Sequence, residues 1–309
     1  MGEKSRVGEL SLNEIEKFAI NENNFRWIRF TGGEPFLRKD LVEIIKVFRD
    51  KSKKLKIINT TTNSFDPDYI YSQIQRISEL KIGRVIIGIS LDGYEKLHNY
   101  IRGVDSFKNA ITLFKSLKNI DTIEVLFSYT ISKYNNNQFS KAFENVKEYI
   151  PDISIADFNF NIYETSSIYY MNEGQRLKTE DRQALINEFL FLNSLLKKQK
   201  SNNIEQKVIN KYVELLPLYV NDGRTPLSCS AARSSFFIDP YGNVFPCITW
   251  NKKLGNIRDT DYSLKKIVES GNIDDIRRII SEYKCPNCWT PCEAHPSIIT
   301  NVLTKHINL

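Results

Sequence analysis

Thr31-Gly32-Gly33-Glu34-Pro35 closes the apolar run Trp27-Ile28-Arg29-Phe30, and the reading of the chain works outward from this junction. Two glycines directly after a β-like run let the backbone turn sharply and bring bare N–H and C=O groups up to a ligand. Pro35 sets the exit from the turn, and Glu34 adds a carboxylate. The stretch predicts a polar-ligand site at a strand end, although the same residues also serve as plain punctuation between a strand and a helix.

Upstream, Ser11 stands three residues before Glu14, ahead of Ile15, Phe18 and Ala19 on one face, which is the capping box of a helix. Downstream, Leu41, Ile44, Ile45 and Phe48 recur at helical spacing. The alternation continues: strands are expected over Leu55 to Asn59, Arg84 to Leu91, Ile123 to Ile131 and Ile153 to Ile162. Helices are expected over Pro67 to Leu80, Asp105 to Leu117 and Phe139 to Tyr149. Strands separated by helices of this length pair in parallel through crossovers, so the fold class is α/β, either a barrel or an open doubly wound sheet. In both, the C-terminal ends of the strands carry the site. Polar groups stand there at Thr31 to Pro35, Thr61 to Asn63, Ser90 to Gly93 and Thr130 to Ser132. Singly each reads as a turn or helix cap; their recurrence at successive strand ends is what points to a shared mouth.

From Lys178 to Tyr219 the pattern turns helical, with Leu185, Phe189, Leu192, Leu195 and Leu196 on one face. Gly223 to Ser228 mark a boundary, after which Phe236 to Ile238, a turn at Asp239-Pro240-Tyr241-Gly242, and Val244-Phe245 read as a β-hairpin. The expected organisation is a barrel core over 1–165, a helical extension over 166–226 and a cysteine-rich domain over 227–309.

All five cysteines fall in that last part. Cys229 precedes the hairpin, Cys247 follows it, and Cys285 and Cys288 form a C-x2-C with Cys292 beyond. Four thiolates are what a [4Fe–4S] cluster or a structural zinc requires, and both stay open here because His295 is available to a mixed zinc site.

Lysine and arginine outnumber the acids by 43 to 37, a net +6 without long runs of one sign, which argues against nucleic-acid binding. No stretch approaches the roughly 18 apolar residues of a membrane span, and no apolar segment follows Met1 to Arg6. Cysteines confined to one short region do not resemble a secreted disulfide framework, so a cytoplasmic protein is expected.

Taken together the motifs resemble the radical S-adenosylmethionine (radical SAM) superfamily, in particular members with a C-terminal SPASM or twitch domain. The resemblance runs from about Leu10 to about Cys292 and is carried by the GGEP of Gly32 to Pro35 and by Ser90-Leu91-Asp92-Gly93 with His98 and Arg102-Gly103. It continues through Thr130-Ile131-Ser132 with Asn135 to Asn137, and Gly242-x4-Cys247 with the later C-x2-C. It implies that Gly32, Gly33, Glu34 and Pro35 hold the amino group of S-adenosylmethionine. Ser90 and Asp92 would meet its carboxylate or ribose, Arg102 its carboxylate, and Asn136 its ribose. Cys229, Cys247, Cys285 and Cys288 would ligate an auxiliary [4Fe–4S] cluster, with Cys292 an alternative ligand or part of a second, incomplete site. The implied reaction is hydrogen abstraction by a 5′-deoxyadenosyl radical from a peptide or small-molecule substrate, with an electron donor as a further partner.

One departure stands out. The C-x3-C-x2-C loop that holds the catalytic cluster in this superfamily should precede the helix at Ser11, and no cysteine occurs before Cys229. The first barrel strand has no counterpart either. The expectation is a fragment, a partial barrel lacking its first strand; the alternative is a non-catalytic iron–sulfur or zinc-binding partner protein.

Overall fold

Helix α1 (Leu12–Asn21) begins where the Ser11 and Glu14 pairing predicts. The Ser11 N–H donates to Glu14 Oε2 at 2.9 Å, and the Glu14 N–H donates to Ser11 Oγ at 3.3 Å, so two N–H groups at the helix start are satisfied reciprocally. This is a computed structural model; it describes residues 7–172, 181–199, 204–270 and 272–304, so the expectations for Met1 to Arg6 and for Lys178 to Glu180 lie outside the described residues.

Five parallel strands follow in the order β1 (Trp27–Phe30), β2 (Ile57–Thr62), β3 (Arg84–Ser90), β4 (Ile123–Ile131) and β5 (Phe158–Ile162). Between them run α2 (Leu41–Lys51), α3 (Pro67–Ser78), α4 (Glu95–Arg102), α5 (Phe107–Leu117) and α6 (Phe139–Tyr149). Each strand pairs with its sequence neighbour, which decides between the two expected architectures. A doubly wound sheet reverses its strand order at a switch point, whereas a monotonic order winds all helices onto one face, as in a barrel. The other face is concave. Side chains alternate accordingly: in β2, Ile58 and Thr60 are buried towards the helices while Ile57, Asn59 and Thr61 face the hollow. Among the described residues β1 ends the sheet and pairs only with β2, as expected for a partial barrel.

Three local expectations shift. β2 runs further, to Thr62, and places its last residues beside the glycine loop. The early part of the fifth expected strand is a short 3-10 turn, Ile155–Asp157, because Ser154 and Asp157 cap it reciprocally. The helix α4 was not anticipated, since its sequence is polar and its buried face is a single histidine, His98.

The helical stretch forms α7 (Arg182–Lys197) and α8 (Ile204–Asp222), which share the main hydrophobic core through Leu185, Phe189, Leu192 and Tyr212. In α8, Val208 and Ile209 also line the hollow, so this helix closes its open side. The hairpin is present as β6 (Phe237–Ile238) and β7 (Asn243–Phe245), and β8 (Gly255–Asn256) adds a third antiparallel strand. After it come α9 (Leu264–Ser270), α10 (Ile273–Ser281) and α11 (Pro291–Leu303). A second apolar cluster packs Ile15, Phe18 and Phe48 of α1 and α2 against Val244, Ile257 and Ile267, which ties the start of the chain to its end.

Candidate functional site

The concave face encloses a cavity of about 440 Å³. Gly32 and Gly33 form part of its wall, and a Cβ on either would meet nothing within 4 Å. Gly32 has φ +155°, which L side chains rarely adopt. The loop thus offers bare backbone to the hollow. Glu34 turns away from it: its Oε2 accepts from the Asn63 N–H at 2.7 Å and Thr62 Oγ1 at 3.1 Å, and its Oε1 accepts from the Phe36 N–H at 3.2 Å. Burial pushes its carboxyl upward, against the opposing pull of these bonds. Pro35 opens a 3-10 turn behind the loop. Tyr169 reaches over from the segment after β5, hydrogen-bonding Thr31 Oγ1 and donating to the Gly32 carbonyl at 3.4 Å.

At the mouth of β3, Ser90 and Arg102 also line the cavity. Asp92 is buried and pairs with Arg102, Oδ2 to Nε at 2.6 Å. Burial raises its carboxyl, offset by Arg102 and by the Thr130 N–H. The Asp92 N–H donates to His98 Nδ1 at 3.0 Å, so Nδ1 is the bare nitrogen and Nε2 carries the proton, 2.9 Å from Ser106 Oγ. Burial, with Arg102 adding to it, holds this imidazole down at a pKa of about 3. Asn135 donates to the carbonyls of Asp92 at 2.9 Å and Thr130 at 2.8 Å, knitting the ends of β3 and β4 together. Asn136 stands beside this knot with its buried Oδ1 unpartnered among the described residues.

Of the expected cofactor contacts, the fold brings Gly32, Gly33, Ser90 and Arg102 to one cavity. Glu34, Asp92 and Asn135 support the strand ends from behind. The backbone cradle, open where two Cβ atoms would stand, fits an extended polar ligand such as S-adenosylmethionine.

The C-terminal thiols separate into two groups. Cys229, Cys247 and Cys285 border one small apolar cluster with Ala231, Ala232 and Ile276. Cys288 is buried and senses the charge of Cys247. Burial, reinforced by Glu293, pushes Cys229 and Cys247 up to about 12 and Cys288 well above its ordinary value. They are neutral thiols by themselves, and cationic iron or zinc is what converts such groups to thiolates. Glu293 lies buried among them, raised by burial to about 7 while Oε2 accepts from Ser235 Oγ at 2.7 Å. Among the described residues no three Cys, His, Asp or Glu side chains converge on one metal-ion position. Cys229, Cys247 and Cys285 border one apolar cluster and Cys288 senses Cys247, and thiol donors of this kind suit the chemistry of an iron–sulfur cluster.

Cys292 stands elsewhere. It lines the barrel cavity, where its Sγ accepts from Arg29 Nη1 at 2.9 Å. His295 lines the same wall, stacked on Trp27 with ring centres 6.1 Å apart, and burial holds its pKa down at about 3. Sequence reading gave no role to Arg29 or Tyr169, and quoted Asn135 only as part of a motif. Arg29 had a signal: a charge inside an apolar strand, in phase with Trp27 and Thr31, points to a polar interior.

The profile of the Radical SAM superfamily matches residues 2–154, and that of SPASM, an iron–sulfur cluster-binding domain, matches residues 229–292. Antilisterial bacteriocin subtilosin biosynthesis protein AlbA of Bacillus subtilis (strain 168) is 23% identical over 266 residues, 83% of this chain and 52% of that protein. The probable GTP 3′,8-cyclase of Saccharolobus solfataricus is 29% identical over 41% of this chain and 38% of its own length. Fe-coproporphyrin III synthase of Methanosarcina barkeri (strain Fusaro) is 30% identical over 51% of this chain and 37% of its own. The chain therefore spans about half the length, or less, of these curated relatives. The structure of native anSMEcpe with bound AdoMet and Kp18Cys peptide superposes with a TM-score of 0.58 at 19% identity, covering 86% of this chain and 73% of that one, and so shares the fold.

Proposed function

We propose, from the premise that the chain belongs to the radical SAM superfamily and carries a SPASM iron–sulfur domain, that it serves the modification of a peptide held in the barrel cavity. In this reading S-adenosylmethionine lies on Gly32 and Gly33, with Ser90 and Arg102 as polar partners. An auxiliary [4Fe–4S] cluster lies on Cys229, Cys247, Cys285 and Cys288. The observation that carries it is the cavity itself, which is lined both by the glycine cradle and by Cys292, the last residue of the SPASM match, with His295 just beyond it. A peptide is favoured over a small molecule because the relatives that match most of the chain, AlbA and anSMEcpe, are named for bacteriocin biosynthesis and for a bound peptide.

S-adenosylmethionine, reduced by a catalytic cluster for which residues 1–228 of this chain offer no thiolate, would supply the one-electron chemistry for breaking an unactivated C–H bond. The chain's own residues bind and exclude. Backbone carbonyls of the glycine loop suit an ammonium group, and the Arg102 guanidinium suits a carboxylate. α8 and the segment carrying Tyr169 shield the cavity from water. The division at 165/166 and 226/227, an external electron donor and a cytoplasmic setting, where the five free thiols stay reduced, belong to the same reading.

A second reading, a non-catalytic iron–sulfur or zinc-binding partner protein, is favoured by one fact: residues 1–228 contain no cysteine, so they offer no thiolate to a cluster beside the glycine loop. Anaerobic reconstitution decides. About four irons per chain, lost in Cys285→Ala and Cys288→Ala, is the expected result; about one zinc and no iron overturns the cluster. Formation of 5′-deoxyadenosine from S-adenosylmethionine and a strong reductant favours the catalytic reading. Iron without deoxyadenosine means that the auxiliary cluster is held here and a catalytic cluster is not.

A further inference from the structure

We propose that Arg29, Cys292 and His295 form a carboxylate-binding subsite in the wall of the barrel cavity, and that Cys292 belongs to this subsite rather than to the auxiliary cluster. The inference rests on the reading above in that it takes this cavity to be the substrate's.

Arg29 projects inward from β1 in phase with Trp27 and Thr31. Its guanidinium is half-buried and makes no ion-pair contact with a carboxylate among the described residues; the buried Glu293 carboxyl senses its charge but is hydrogen-bonded to Ser235 instead. Its partners are the Cys292 sulfur at 2.9 Å and the face of Trp27, 5.6 Å from the ring centre. A thiol sulfur is a weak acceptor, and a guanidinium carries five N–H groups in a planar fork. A partly desolvated cation with so poor a set of acceptors is costly until an anion arrives, and the natural complement of the fork is a carboxylate.

His295 supplies the independent observation. It lies one turn beyond Cys292 on α11, only 5% exposed, and its Nε2 is buried with no hydrogen-bond partner among the described residues. It lines the same cavity, its ring set between Trp27 and Tyr212, centres at 6.1 and 5.6 Å. A buried nitrogen left unpaired is costly, so a ligand that satisfies it is favoured. With its proton on Nε2 the ring becomes a further donor beside the Arg29 fork.

The subsite is distinct from the cofactor's. Arg29 lies two residues, about 7 Å along the strand, below Thr31 and the glycine loop. It is also distinct from the cluster. Cys292 alone among the five cysteines lines the cavity, whereas Cys229, Cys247 and Cys285 border the apolar group at Ala231 and Ile276. The ligand is a carboxylate: an acidic side chain of a peptide, a peptide C-terminus or a small carboxylic acid.

The test reads the rate at which iodoacetamide alkylates Cys292 in the iron-reconstituted protein, followed by peptide mass spectrometry. The probes are a tripeptide Ala-Glu-Ala blocked at both ends, acetylated Ala-Ala-Ala with a free C-terminus, succinate, and blocked Ala-Gln-Ala as the neutral control. At least one carboxylate is expected to slow alkylation severalfold while the glutamine peptide does not, and the most protective probe identifies the source. Arg29→Gln should abolish protection, Arg29→Lys should retain part of it, and His295→Gln should weaken it. Protection by no carboxylate, or equal protection by the glutamine peptide, overturns the subsite. Cys292→Ser should hold as much iron as the unaltered chain; a loss matching that of Cys285→Ala overturns its assignment. Intact protection in a chain that takes up no iron upholds the subsite and sinks the cluster reading alone.

Discussion

Glu34 and Asn63 bridge the first two strand ends: the carboxylate of the glycine loop accepts the backbone N–H beyond β2 at 2.7 Å, with Thr62 Oγ1 on the same oxygen at 3.1 Å. The acid of the GGEP motif is thus a clamp on the cradle. Glu34→Gln puts an amide NH2 opposite one of the two N–H donors and should cost about 1–3 kcal/mol. A lowered melting temperature together with weaker S-adenosylmethionine binding by calorimetry is expected; an unchanged melt would show that the loop keeps its shape without the clamp.

His98 makes the cofactor end sensitive to acid. Its folded pKa of about 3 lies below the ordinary 6.5, so the unfolded chain takes up a proton first as pH falls. The stability this neutral ring contributes is whole above pH 6.5 and is lost progressively from there towards pH 3. His98→Gln should flatten that part of the stability profile in urea melts and, by leaving the Asp92 N–H or Ser106 without a partner, lower stability at neutral pH by about 1–3 kcal/mol.

Arg258 and Glu14 join the two ends of the chain, Nε to Oε1 at 2.6 Å and Nη2 to Oε2 at 3.2 Å. Arg258 holds the Glu14 carboxyl well below its ordinary 4.5. A depressed acid stabilises the fold above its unfolded pKa and loses that contribution as pH falls below it. Glu14→Gln should therefore reduce the acid sensitivity of the contact between α1 and the β6–β8 sheet, read as faster proteolysis of the variant at neutral pH and convergence with the unaltered chain in acid.

Gly88 permits the close approach of three strands inside the barrel. A Cβ there would stand 2.5 Å from Ser128 Oγ and 2.9 Å from Thr61 Cγ2. Gly88→Val should overpack this layer at a cost of about 1–3 kcal/mol and shrink the cavity. Thermal denaturation and a weakened protection of Cys292 by carboxylate probes would register both effects; a variant as stable as the parent would mean that the strands part easily.

Apart from α4, the order of strands and helices from Trp27 to Ile162, the box at Ser11, the hairpin and the spacing of the cysteines were legible in the sequence, because each depends on residues a few positions apart. Periodicity also told which side of each strand is apolar. It did not tell which strand lies next to which, and only the order of pairing from β1 to β5 chose a barrel-like hollow over a doubly wound sheet. The partners of the site residues were hidden for the same reason. Asp92 was readable as a ligand-facing acid, yet the fold spends it on Arg102, and Asn135 ties it to Thr130. The five cysteines look like one set in one dimension. Packing of α11 against β1 takes Cys292 away to Arg29, a contact across 263 positions of chain that no local pattern encodes.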